Sequence, residues 1–248
     1  MSRGFVSVSV AVIALSLSVC LAQESNQLSK DEQDQGFVSL FNGKDLAGWV
    51  VMGKKEQWTA ADGLLKCLGG PGGWLRTEKE YTDFELRLEF NNTPETNSGV
   101  FLRATENGNP AFTGMEIQIM DDAGNKDPAK GSTGAAYAAI APAVIATKPP
   151  GEWNSYDITL KGMQLKVILN GQTLYDVDLS DPKLNEEVAQ SAVEGLKARI
   201  AKAEKEGKKP PTEPEYKPFP ERAKMGFIGL QNHGHEIEFR NIRIKVLQ

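Results

Sequence analysis

An all-β sandwich or barrel, interrupted near its end by one helix, is the architecture this 248-residue sequence predicts, on three observations. Over 37–178, short alternating apolar runs are separated by turn residues, the pattern of stacked antiparallel strands rather than of βαβ units. Asp62-Gly63 and Asn170-Gly171 are strong short-range hairpin signals. Between 182 and 209 the period changes, and Leu184, Val188, Val193, Leu196 and Ile200 recur as on one helical face amid Glu, Lys and Ala.

The elements follow in order. Runs 57–59 and 64–67 flank Asp62-Gly63, and 74–77 follows a Gly-Gly-Pro-Gly-Gly loop. Segment 84–90 alternates strictly from Phe84 to Phe90, 99–103 follows an Asn-Ser-Gly turn, and 115–120 follows Thr113-Gly114. Segments 155–160, 164–169 and 172–177 read as a meander, its last two strands joined by Asn170-Gly171. The helix has Gly195 as its one candidate break. Proline-rich 209–220 cannot pair in a sheet and is expected to be an extended connector. Strand pattern resumes at 225–230 and 236–246, so helix 182–209 and its connector read as an insertion within one domain, 36–248. The polar stretch 23–35 is expected to be disordered.

Residues 1–22 read as a signal peptide: Arg3, an apolar run over 6–19 too short to span a bilayer, and a small-x-small cleavage site at Cys20-Leu21-Ala22. Lipid attachment at Cys20 is the alternative, disfavoured by the bulk of Val19. The expectation is an exported protein, periplasmic or secreted, with no transmembrane segment. Cleavage leaves Cys67 alone, so stability has to come from a hydrophobic core rather than a disulfide. A formal charge of −5 argues against a nucleic-acid partner, which would call for a basic stripe.

Gly114-Met115-Glu116-Ile117-Gln118-Ile119-Met120-Asp121-Asp122 is the most informative stretch, readable either as a half-exposed strand with ordinary solvated charges or as a strand that carries chemistry. Period two places Glu116 and Gln118 on one face and Ile117 and Ile119 on the other, so the strand has a packed side and a side bearing carboxyl and amide groups. That suggests sugar chemistry, with Asp121 or Asp122 swinging back across a bulge as a second carboxylate. Arg103 ends an apolar strand, where a half-buried cation needs a partner, and Glu116 is the expected one. His233-Gly234-His235 has the spacing of a metal pair, although an exposed turn is the favoured reading of His235. Trp49, Trp58, Trp74 and Trp153 each offer a flat face that could pack on a pyranose; of these, Trp49 and Trp58 are expected in the core, and Trp153 with Asn154 in a sugar groove.

An ordered series of motifs carries a resemblance. Leu40-Phe41-Asn42-Gly43-Lys44-Asp45-Leu46 with Gly48-Trp49, Tyr81-Thr82-Asp83-Phe84-Glu85-Leu86, and Asn97-Ser98-Gly99-Val100-Phe101-Leu102-Arg103 begin it. Gly114 to Ile119 with Asp121, Gly151-Glu152-Trp153-Asn154, Leu169-Asn170-Gly171, Gly229-Leu230-Gln231-Asn232-His233-Gly234 and Phe239-Arg240-Asn241-Ile242 complete it. Together they resemble the 3-keto-disaccharide hydrolase domain family of exported bacterial proteins, over nearly all of 36–247 except the helical insertion. The resemblance implies a concanavalin-like jelly-roll sandwich of two antiparallel sheets with a groove on one face. It also implies a 3-keto-glycoside as carbohydrate substrate, with a separate 3-dehydrogenase-type oxidoreductase to make the ketone.

A ketone at carbon 3 acidifies the hydrogen at carbon 2, so the carbon 1 substituent can leave by elimination and water can add back. Such a route calls for a base, an acid for the departing oxygen and a donor on the developing enolate. The residues expected in these roles are Glu116 or His233 as base, Asp121 as acid and Arg103 on the ketone, with Asn97, Gln118, Trp153, Asn154 and Gln231 binding substrate. No cofactor is expected to be required; calcium or another divalent ion is compatible but not predicted. Two other readings stand beside this one: a non-catalytic carbohydrate-binding module and a laminarinase-like endo-glucanase. Against the glucanase, Gln118 stands where the middle aspartate of an E-x-D-x-x-E catalytic strand would lie.

Overall fold

The alternation read in the sequence becomes two antiparallel sheets packed face to face in the computed structural model, which describes residues 26–248. The leader reading of 1–22 falls outside the described residues. The stretch expected to be disordered includes a short helix. Helix α1 (Lys30–Asp34) is closed by a capping box in which Ser29 and Glu32 satisfy each other's backbone donors.

The strands are β1 (Val38–Ser39), β2 (Trp49–Gly53), β3 (Trp58–Ala61), β4 (Leu64–Leu68), β5 (Gly73–Tyr81), β6 (Phe84–Asn92) and β7 (Asn97–Ala104). A one-turn helix α2 (Pro110–Thr113) leads to β8 (Met115–Met120), and β9 (Asn154–Lys161), β10 (Gln164–Leu169) and β11 (Gln172–Asp178) form the expected meander. Helix α3 (Pro182–Lys205) precedes β12 (Gly226–Asn232) and β13 (Glu236–Val246). The larger sheet runs β11-β10-β9-β6-β13-β4-β3 with β1 on β13, and the smaller runs β2-β5-β12-β7-β8.

Between the sheets, Phe84, Leu86, Leu88 and Phe90 of β6 face Val100, Leu102, Ile117, Ile119, Ile228 and Leu230 of the smaller sheet. Each such side chain contributes about 1.5–3 kcal/mol by leaving water, which makes this layer the main stabilising feature. Trp49 and Trp58 join it, as expected. One irregularity decides where a key side chain goes. Gly229 pairs with Phe101, yet Phe227 pairs with Ala104, so β7 carries an extra residue, and Arg103 sits at φ 53°.

Helix α3 runs through Gly195 without a break; Asp181 caps it and Pro182 opens it. The proline-rich stretch behind it is fastened down. Asn185 Oδ1 accepts from Phe219 N–H at 2.9 Å, Phe219 is buried, and the Ala223 N–H donates to Thr113 C=O at 2.8 Å. Arg222, stacked on Phe219 at 4.3 Å, donates to the Lys217 and Gly114 carbonyls. These bonds moor the connector beside α2, on the outer side of the smaller sheet.

Candidate functional site

Because β7, β8 and β12 bury one row of side chains between the sheets, their alternate row lines a groove of about 550 Å³ on the outer face of the smaller sheet. Trp74, Asn97, Phe101, Glu116, Gln118 and Gln231 come from four neighbouring strands. Trp74 and Phe101 form an edge-to-face pair, centroids 5.6 Å apart, over Gly229, where a Cβ would lie 2.5 Å from the indole. At one end stand His233 and the glycine loop 70–73; at the other, α2, Tyr137 and Glu215.

Glu116 is the chemical centre. It is 3 % exposed, and burial pushes its carboxyl up to about 8, against a smaller lowering by the hydrogen bond from Gln231. The Gln118 amide nitrogen, oriented by its neighbours, donates to Glu116 Oε1 at 3.1 Å and to the Ser98 carbonyl at 2.7 Å. Opposite, Gly99 leaves the room the carboxyl occupies, since a Cβ there would stand 2.2 Å from Glu116 Oε1. The Gln231 Oε1 atom is buried with no partner among the described residues. Such a site holds a proton-bearing carboxyl at neutral pH amid amides and aromatic faces.

Five expected site residues therefore share the groove: Asn97, Glu116, Gln118, Gln231 and His233. Four do not. Arg103 does not pair with Glu116; the left-handed backbone of the β7 bulge turns it inward, where it is 2 % exposed. There it donates to the Thr82 and Gly162 carbonyls and to Asp83 Oδ1 at 2.9 Å. Asp121 lies past the end of β8 and caps turns, its oxygens accepting from the Glu95 and Ala123 N–H groups. Asp122 likewise accepts from the Thr133 N–H at 2.7 Å. Trp153 lies with the larger sheet, its ring covered by the Arg240 guanidinium at 3.9 Å, which in turn pairs with Glu89 of β6. Asn154 is fully buried and ties the Lys148 N–H to Asn170.

His235 ties down the start of β7, its Nδ1 accepting from the Asn97 N–H at 3.3 Å. Among the described residues no three His, Cys, Asp or Glu side chains gather into a set fit for a metal ion.

Trp74, Phe101, Phe112, Tyr137, Asn109 and Glu215 are groove residues the sequence reading did not assign. Phe101 was within reach of it, because alternation with Val100 and Leu102 puts it on the face of Gly99. Tyr137 and Glu215 arrive by long-range pairing, with no local signal. The Tyr137 N–H donates to the Glu116 carbonyl at 2.9 Å, from a segment lying along the open edge of β8.

Two packed antiparallel sheets, one crossed by a polar groove around a buried carboxyl, define a β-sandwich protein with a small-molecule-sized groove. More specifically, the chain belongs to the 3-keto-alpha-glucoside-1,2-lyase-like domain family, whose model matches residues 36–245. It is 29% identical to a 3-keto-disaccharide hydrolase of Bacteroides thetaiotaomicron, over 95% of this chain and 87% of that protein. Two crystal structures of candidate glycosyl hydrolases from Parabacteroides distasonis are similar. One has a TM-score of 0.71 at 26% identity, covering 90% of this chain and 99% of that one. The other has a TM-score of 0.63 at 33% identity, covering 85% and 99%.

Proposed function

We propose that this groove cleaves the glycosidic bond of 3-keto-glycosides, 3-keto-disaccharides among them, by elimination followed by hydration. The observation that carries the reading is Glu116, a carboxyl that still holds its proton at neutral pH because burial has pushed it up to about 8. An acid for a departing oxygen needs that state.

In this scheme His233, exposed at the groove's edge, takes the hydrogen from carbon 2 of the keto sugar. The electron pair moves to form the carbon 1–carbon 2 double bond, the carbon 1–oxygen bond breaks, and Glu116 hands its proton to the leaving oxygen. Water then adds, hydroxyl to carbon 1 and proton to carbon 2, for net hydrolysis. Gln118 and Gln231 hold Glu116 in place, Asn97 takes sugar hydroxyls, and the Trp74–Phe101 pair offers an apolar surface to a ring. Arg103 and Asp121 have no part, since both are engaged elsewhere.

A separate oxidoreductase has to supply the ketone, and the leader at 1–22 is read as sending the protein out of the cytoplasm. Among the described residues no helix is long and apolar enough to cross a membrane. The scheme calls on no cofactor, so turnover is expected to survive EDTA.

The test compares a 3-keto-disaccharide with its unoxidised parent. Cleavage of the keto form alone is expected, and Glu116→Gln should lower kcat by roughly 10²–10⁴-fold, the usual worth of a proton-transfer group. Equal cleavage of the parent would mark an ordinary glycosidase, and binding without turnover a carbohydrate-binding module.

A further inference from the structure

The insertion reads in sequence as a one-faced helix followed by an extended connector, yet it places one carboxylate in the groove. Glu215, from the proline-rich stretch, lines the end opposite His233. Two partners pin it: Asn109 Nδ2 donates to Oε1 at 3.2 Å, and the Arg199 guanidinium of α3 stands 3.9 Å from Oε2. Neither saturates the carboxylate, whose two oxygens offer about four acceptor positions, and the side chain keeps 42% of its exposure. The next residue, Tyr216, stacks on Phe112 at 4.7 Å, and Phe112 stacks on Tyr137 at 6.0 Å. An aromatic tier with a carboxylate beside it thus forms the far rim, next to Glu116 and away from the base.

That pairing suits a pyranose. A ring packs its apolar face on an aromatic side chain while neighbouring hydroxyls donate together to one carboxylate. The groove's 550 Å³ lies within the roughly 300–1,000 Å³ range of small-molecule sites, with space beyond a single ring.

We propose that Glu215, presented by the insertion and steadied by Asn109 and Arg199, binds hydroxyls of the leaving sugar, so that the insertion selects disaccharides over 3-keto-glycosides with a non-sugar leaving group. This rests on the reading of the groove as a 3-keto-glycoside site. Glu215 is a binding and specificity residue, not a carrier of protons.

Kinetics of wild type and Glu215→Ala on a 3-keto-disaccharide and on a 4-nitrophenyl 3-keto-glucoside test it. Losing a charge-assisted hydrogen bond should raise KM for the disaccharide about 10–100-fold with kcat little altered. The ratio of kcat/KM for disaccharide over aryl glycoside should fall by a similar factor, about 10–100-fold, and Arg199→Ala should shift it the same way by less. An equal loss on both substrates, or no loss on either, overturns the assignment. If wild type turns over neither compound, the 3-keto-glycoside reading itself falls. Calorimetric titration with the disaccharide then judges Glu215 separately: weaker binding to Glu215→Ala than to wild type supports it, and equal binding overturns it.

Discussion

Glu116 holds its proton in the folded chain at a pH where an unfolded glutamate has lost it, and this couples the site to stability. Its folded value of about 8 lies above the ordinary 4.5. Below pH 4.5 both states keep the proton. Between 4.5 and about 8 only the folded state does, so each unit of rising pH lowers its contribution to stability by up to about 1.4 kcal/mol. Above about 8 the effect is complete. Glu116→Gln has nothing to lose there, so urea titrations at pH 5 and pH 8 should show the variant gaining on wild type as pH rises. A constant gap between the two would refute the buried protonated state. Gly99→Ala tests the same pocket from the opposite strand. With a methyl 2.2 Å from the carboxyl oxygen, Glu116 has to move, and kcat/KM should fall at least about tenfold while the circular dichroism spectrum is kept.

At the scale of the strand, the bulge in β7 separates what the sequence could tell from what it could not. Strict alternation along β8 makes Glu116 and Gln118 legible as one face and Ile117 and Ile119 as the other, and the structure keeps that division. The same rule carried along β7 would send Arg103 to the groove. One extra residue at a left-handed φ reverses it, and nothing in the local sequence announces the insertion. Asp121 misleads differently, since β8 ends at Met120 and the residues after it follow turn geometry. Arg103 should therefore matter to folding and not to chemistry. Arg103→Met strips donors from the Thr82 and Gly162 carbonyls and leaves Asp83 unpaired, at an expected cost of about 3–5 kcal/mol in urea denaturation. Its kcat at low temperature should stay near wild type; a collapse of kcat without loss of stability would return Arg103 to the site.

For the molecule as a whole, hairpin dipeptides and period-two runs made the sandwich readable, whereas the groove's far rim comes from residues about a hundred positions apart, Asn109 and Glu215, that only the finished fold brings together. Burial, with a smaller push from the Glu236 charge, holds the Cys67 thiol up at about 11, so an aromatic disulfide reagent at pH 8 should label it only after denaturant is added. Rapid labelling of the native protein would mean the core opens readily. The segment against the outer edge of β8 has a further consequence. Bridges from Ile117 to Ala136, and from the Gln118 and Tyr137 N–H groups to carbonyls across the gap, occupy hydrogen-bonding positions that a last strand ordinarily leaves bare. A bare edge is a template on which other chains polymerise. Here the strand that carries Glu116 is withheld from neighbouring molecules, and crowding should not convert the groove's own scaffold into a seed for fibres.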